Sequence, residues 1–193
     1  MDGSVMSQDS TTKECPLYVD MDGTLIATDV LWESLLLVMK GRPLVALRLP
    51  LWAMGHGWAY MKDQLAQRVM PDVARLPYRR EVVEFLKEER GRGRRLVLAT
   101  ASNRRIAEAV AAHVGLFDDV LASGPEVNLK GERKLQAIEK QVGSDGFGYM
   151  GNSSADLPLW RSARQAYVVA ASPRVLARAR AVCNPVGIFE ASP

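Results

Sequence analysis

Two rhythms of apolar and polar positions run along the chain. Short unbroken apolar runs occur at Leu17-Tyr18-Val19, Leu96-Val97-Leu98-Ala99, Phe147-Gly148-Tyr149-Met150 and Ala166-Tyr167-Val168-Val169-Ala170. Runs of that length, apolar at every position, predict strands buried on both faces. Between them the period lengthens to that of a helix. Arg79 to Arg90 carries Val82, Val83, Phe85 and Leu86 on one face and is followed by Gly91, a natural C-cap. Ile106 to His113, Leu135 to Val142, Leu157 to Ala163 and Ser172 to Val182 read the same way, with shorter strands at Asp119-Val120-Leu121-Ala122 and Gly187-Ile188-Phe189. Strand–helix alternation from residue 95 onward predicts an α/β fold with a doubly wound parallel sheet, whose ligands sit at the carboxyl ends of the strands.

Residues 29–70 break this rhythm, being helical and unusually apolar. Asp29 can cap a helix running through Met39, which Gly41-Arg42-Pro43 ends. A second apolar segment, Leu44 to Trp58, is interrupted by Arg48, Pro50 and Gly55, and a third helix spans Met61 to Met70 before Pro71. Lying between the first and second strands, these segments predict a helical insertion over the carboxyl end of the sheet. Two readings of its apolar surplus compete. It is either core packed helix on helix, or a lid that touches a membrane or a lipid-tailed substrate through Trp32, Trp52, Trp58 and Tyr60. His56, between two glycines, is either a substrate contact or a solvated turn residue.

Composition narrows the field. At 193 residues and 21.3 kDa, with 48% apolar residues, the chain suits one medium domain, or one with a small insertion. A net charge of +3 favours anionic partners only mildly. The run Arg90-Gly91-Arg92-Gly93-Arg94-Arg95 has no interleaved aromatic and reads as a helix end and turn, so no nucleic-acid partner is expected. Cys15 and Cys183 stand far apart without metal-ligand spacing, which predicts two reduced thiols and a cytoplasmic setting. Residues 1–14 are polar and are expected to be a disordered tail rather than a signal peptide. No stretch approaches the ~20 apolar residues a membrane span needs.

The candidate chemistry gathers at strand ends. After the first strand, Asp20-Met21-Asp22-Gly23-Thr24 places two carboxylates at i and i+2, on one side of an extended segment. Such a pair is costly unless a cation joins it or one acid keeps its proton. It can hold a hard cation, attack with one carboxylate and move a proton with the other. A calcium loop would need Gly and Glu where the chain has Leu25 and Leu31, and so is excluded. Thr100-Ala101-Ser102 ends the second long strand just before a helix, offering a hydroxyl at Thr100 and backbone N–H groups around Ala101 to an anion, with Ser102 as the helix cap. Lys130 precedes Gly131 at a helix start and could neutralise a phosphate; Lys134 is the alternative. Asn152 and Asp156, on the loop after the strand at Phe147–Met150, could ligate a metal.

Asp20-Met21-Asp22-Gly23-Thr24-Leu25, Thr100, Lys130-Gly131-Glu132 and Gly151-Asn152-Ser153-Ser154-Ala155-Asp156 together resemble the four ordered motifs of the haloacid dehalogenase superfamily, in its phosphoserine-phosphatase-like form. The resemblance implies a Rossmann-like core at 15–28 and 79–193 with a helical cap at 29–78. It implies a Mg²⁺-dependent phosphatase acting on a small phosphorylated substrate. Asp20 would attack phosphorus to give an aspartyl-phosphate and Asp22 would serve as acid and base. Thr100, Ala101 and Lys130 would hold the phosphate, and Asp20, Asp22, Asn152 and Asp156 the metal. The chain departs from the family pattern at Asn152, where an acid is usual, which implies weaker metal binding. Asp29–Leu35, Leu98–Ser102 and Asn152–Pro158 further resemble the domain fused ahead of UbiA-type membrane prenyltransferases. That likeness implies a prenyl-linked or sugar phosphate as substrate and a membrane surface or a fused prenyltransferase as partner. A catalytically weak binding module and a phosphotransferase or phosphomutase are the competing functions.

Overall fold

The computed structural model describes residues 15–190 other than 42, 43, 45, 46, 48, 69 and 125. The tail expected at 1–14 lies outside the described residues. Six parallel strands form one sheet: β1 (Leu17–Val19), β2 (Leu96–Asn103), β3 (Asp119–Ser123), β4 (Gly148–Gly151), β5 (Gln165–Val169) and β6 (Gly187–Phe189). Their order is β3-β2-β1-β4-β5-β6. The central strand, β1, is in register with both neighbours, Val19 lying opposite Leu98 and Met150. Order reverses between β1 and β4, which opens a crevice at their carboxyl ends where α/β sheets bind ligands.

The strands are apolar throughout because both faces are covered. Leu17 and Val19 of β1, Leu96 and Leu98 of β2 and Met150 of β4 face helices α3 (Arg80–Gly91) and α4 (Arg104–Val114), packing with Val82, Leu86, Ile106 and Val110. Alternate residues Tyr18, Val97, Ala99 and Tyr149 face α5 (Glu132–Val142), α6 (Leu157–Ser162) and α7 (Pro173–Val182), against Leu135, Ile138, Trp160 and Ala179. The period of two thus sorts each strand onto two separate cores. Cys15 and Cys183 form no disulfide.

The insertion after β1 contains α1 (Val30–Gly41) and α2 (Leu49–Arg68). It leaves and rejoins the core at one neck. Ile26 bridges Tyr78, Ala27 N–H donates to Pro77 C=O at 2.8 Å, and Arg79 N–H donates to Leu25 C=O at 2.9 Å. Pro50 and Gly55, which interrupt the apolar segment, both lie within α2, and the backbone departs from helical geometry at Gly57, with φ 85° and ψ 169°. A residue with a Cβ resists that φ, whereas Gly55 has no such demand. Val38, Leu49, Met61 and Leu65 form a small core inside the insertion, with Trp52 packed against it under Arg68. Trp52 therefore serves helix-on-helix packing rather than an interface. The side chains of Trp32, His56 and Trp58 lie outside the described residues. Among the described residues, no helix is long and apolar enough to cross a membrane.

Candidate active site

β1 ends where its backbone hands over from sheet to turn. Asp20 N–H still donates to Met150 C=O of β4 at 2.9 Å, so the carboxylate of Asp20 sits directly over the crevice between the two strands. Gly23, at φ 78°, then turns the chain, and the amide of Asn152 fills the space a Cβ there would need. Two loops from opposite sides of the crevice thus close on each other only because residue 23 has no side chain.

A cavity of about 320 Å³ opens at this point. Asp20, Asp22, Ala101, Lys130, Asn152 and Asp156 all border it, and so do Lys134 and Ser102. Sequence separations of more than a hundred residues collapse here into one polar chamber at the switch point of the sheet.

The lysine that reaches the centre is Lys134. Its Nζ lies 2.6 Å from Asp20 Oδ1, and only 3% of the residue is exposed. Lys130, the residue first expected there, is exposed at the cavity rim. The helix explains the difference between the two. Gly131, at φ 58°, starts α5, and the inward face of the helix runs through Lys134, Leu135 and Ile138. Lys130 precedes the turn and is not on that face. The i, i+4 spacing of Lys134 and Ile138 was the available signal.

Lys134 Nζ also donates to Tyr149 Oη at 3.1 Å, and Tyr149 Oη donates to Asp156 Oδ1 at 2.7 Å. A continuous chain Asp20–Lys134–Tyr149–Asp156 therefore lies beneath the cavity. Burial first, then Asp156 and Asp20, push the Tyr149 phenol well above its usual range, so it stays a donor. Burial also raises the Asp20 carboxyl to about 7; Lys134 opposes that rise, while Asp156 and Asp22 add to it. Burial opposes charge on Lys134, but Asp20, Asp156 and Asp22 outweigh it, so the amine stays protonated above the ordinary lysine range. Tyr149 was missed in the sequence because an aromatic in an apolar strand reads as core, which its ring is.

Asp22 is held differently. Its Oδ1 accepts Val30 N–H at 2.8 Å, at the start of α1, and its Oδ2 accepts Ser102 Oγ–H at 2.6 Å and, more weakly, Thr100 Oγ1–H at 3.4 Å. A helix N-terminus favours negative charge, so the cap's first helix holds this carboxylate over the chamber. Two expectations for β2 change. Ser102 is no helix cap: Asn103 caps α4, accepting Arg105 N–H at 2.9 Å. Thr100 is fully buried, does not border the cavity and accepts Ser102 N–H at 2.9 Å, so its hydroxyl braces the loop that presents Ser102 and Ala101. Ser102 lies two residues from Thr100, on the same side of an extended strand, and that spacing could have identified it.

Asp156 organises its own loop. Its Oδ2 accepts from Asn152 N–H, Ser153 N–H and Ser153 Oγ–H at 2.8 to 3.1 Å, a capping box that leaves Asn152 facing the cavity. Among the described residues no group of three or more His, Cys, Asp and Glu side chains could hold a metal ion. The oxygen donors that border the chamber — Asp20, Asp22, the Asn152 amide and Asp156 — still fit a hard cation such as Mg²⁺ in kind, with less negative charge than an all-acid set. The hydroxyl of Thr28, also at the cavity, is buried without a partner.

The geometry agrees with comparison to known proteins. The family model for haloacid dehalogenase-like hydrolases matches residues 17–161. An uncharacterized protein, y4nM, from Sinorhizobium fredii is 36% identical over 166 residues, covering 86% of this chain and 32% of that protein. The chain thus spans about a third of the length of this curated relative. Among solved structures, a protein of unknown function from Bordetella pertussis Tohama I superposes with TM-score 0.67 at 18% identity, covering 91% of this chain and 97% of that one. A phospho-aspartyl intermediate analogue of phosphoserine phosphatase superposes with TM-score 0.57 at 13% identity, covering 93% and 94%. A haloacid dehalogenase-like family protein from Streptococcus pneumoniae gives 0.61 at 14%, covering 93% and 95%. At these identities the solved structures share the fold.

Proposed function

The chain belongs to the haloacid dehalogenase-like hydrolases, and we propose that it is a phosphohydrolase that cleaves a small phosphomonoester with Asp20 as nucleophile and Mg²⁺ as cofactor. The observation that carries this reading is the buried Asp20–Lys134 pair at the end of the central strand, facing a chamber that Asp22 also borders. Lys134 Nζ, 2.6 Å from Asp20 Oδ1, opposes the rise that burial imposes on that carboxyl and so favours the ionised form that attacks, and the same ammonium offsets the charge of an arriving phosphoryl group.

In the proposed reaction, Asp20 attacks phosphorus while the ester oxygen leaves, giving an aspartyl-phosphate. Asp22 gives a proton to that leaving oxygen and then takes one from the water that releases phosphate. Ser102 and the N-terminus of α1 fix Asp22 so that it can face the leaving group. The backbone around Ala101, beside the start of α4, and Lys134 hold the phosphoryl oxygens. Thr28 borders the chamber on the side nearest the cap. Asp20, the main-chain carbonyl of Asp22, Asn152 and Asp156 are the groups that would hold Mg²⁺, which supplies positive charge against the phosphoryl oxygens.

A chamber of about 320 Å³ lies at the small end of ligand pockets, which suits a phosphoryl group and its immediate neighbours. The rest of a prenyl-linked or sugar phosphate would extend under the cap. The three stretches that resemble the domain ahead of UbiA-type prenyltransferases support a place for this unit beside such a membrane enzyme.

Phosphate release from p-nitrophenyl phosphate, with Mg²⁺ or with EDTA, tests the reading in wild type and Asp20→Asn. Metal-dependent turnover that the substitution abolishes is the expected result. No turnover and no Mg²⁺ binding by the folded wild type would overturn it.

A further inference from the structure

Two buried carboxylates compete for one buried ammonium group beneath the chamber. Lys134 Nζ lies 2.6 Å from Asp20 Oδ1, and the phenol of Tyr149 stands between that nitrogen and Asp156 Oδ1. Lys130, the other cation that borders the chamber, is exposed at its rim. Against burial, Asp20 and then Asp156 hold the Lys134 ammonium protonated, so both pull on the same charge. Away from water that pull is strong. An ammonium that moved across to Asp156 would leave Asp20 without its counter-charge.

The hydrogen bonds show what prevents this. Asp156 Oδ2 accepts from Asn152 N–H, Ser153 N–H and Ser153 Oγ–H, and Oδ1 accepts Tyr149 Oη–H at 2.7 Å. A phenol has a single proton, and here it is committed to Asp156, so toward Lys134 the oxygen can only accept. The ammonium has three protons. One goes to Asp20 and one to Tyr149, which leaves one for the chamber that Lys134 borders. The ring of Tyr149 packs with Ile138 and Trp160 in the core, a task that Phe would serve as well. The hydroxyl is what packing leaves unexplained. We propose that Tyr149 is a positioning residue: by giving Asp156 a neutral donor in place of the ammonium, it keeps Lys134 on Asp20 with one N–H free for the phosphoryl group.

This role rests on the reading of Asp20 as nucleophile, and Tyr149→Phe tests it both with and without turnover. Phe keeps the ring and removes only the oxygen, and urea unfolding checks that the variant folds. A crystal structure of the variant should show Lys134 Nζ moved from Asp20 to Asp156. An unmoved Asp20–Lys134 pair would overturn the proposal, whatever the protein hydrolyses. With p-nitrophenyl phosphate at saturating Mg²⁺, kcat should fall roughly tenfold while KM stays within about twofold. Neutralising the rival carboxylate should cancel that loss. Added to Asp156→Asn, Tyr149→Phe should change kcat by less than about threefold. The same tenfold fall in both backgrounds would show a merely structural hydroxyl and overturn the proposal. This second comparison also decides the matter if Tyr149→Phe alone does not fold, since no buried charge then loses its partner. Turnover that survives Asp20→Asn would instead sink the nucleophile reading, and the place of Lys134 in the crystal would still judge Tyr149.

Discussion

Lys130 and Lys134 are four positions apart, and only Lys134 lies on the helix face that meets Asp20. The two substitutions should therefore part company. Lys134→Met should lower kcat by about 10²–10³-fold, as expected when a preplaced counter-charge is removed. Lys130→Ala, at an exposed side chain, should stay within about threefold. Steady-state kinetics on one phosphomonoester separates them, and the reverse ranking would return the role to Lys130. Asp20 makes a second prediction at this scale. In metal-free protein its folded pKa, about 7, stands above its ordinary 3.8, so the folded state keeps a proton that the unfolded state has lost. Wild-type stability relative to Asp20→Asn should then fall as pH rises from about 4 to 7, by on the order of a few kcal/mol. Urea unfolding in EDTA across that range measures it; a flat or rising difference would mean that Lys134 cancels or outweighs the effect of burial on Asp20. The carboxylate pair was legible in the sequence because its i, i+2 spacing is local. The partner lysine was not, because its choice depends on where Gly131 starts a helix.

At the scale of elements, the site is made by ends: the end of β1, the end of β2, the start of α5 and the loop after β4. Those ends were legible, since apolar runs that stop at polar residues mark them. What the sequence concealed was which polar group at each end faces the chamber and which braces it, as Thr100 and Ser102 illustrate. Gly151 shows how tight the bracing is. A Cβ there would lie 2.8 Å from Asp156 Cγ and from the Tyr149 ring. Gly151→Ala should displace Asp156, loosen the Asn152 loop and raise the Mg²⁺ concentration for half-maximal activity by roughly tenfold, at a stability cost of about 1–3 kcal/mol. Metal titration of activity, with thermal unfolding as the control, reads both. The cap has its own tie to the core: Asn103 Nδ2–H donates to Asp63 Oδ1 of α2 at 2.9 Å. Asp63→Ala removes that tie without touching the cap of α4. It should raise KM severalfold with kcat nearly unchanged and cost under about 1 kcal/mol. An equal fall in kcat would mean that the tie serves the chemistry instead.

For the whole molecule, the strand order places the switch point between β1 and β4, and every loop that borders the chamber converges there. The alternation of strand and helix made this architecture legible, because burying both faces of a parallel sheet leaves few other patterns. The interior of the insertion was harder to read. Some of its apolar residues form an inner core and others are exposed, and composition alone does not divide them. The neck at Ile26 and Tyr78 has a further consequence. Because the chain departs and returns side by side, the intervening segment is a parenthesis: it can be lengthened, shortened or exchanged without rerouting a single strand. A lineage built on this core can therefore inherit its chemistry unchanged while rewriting, in one contiguous stretch of gene, which molecules are admitted to it.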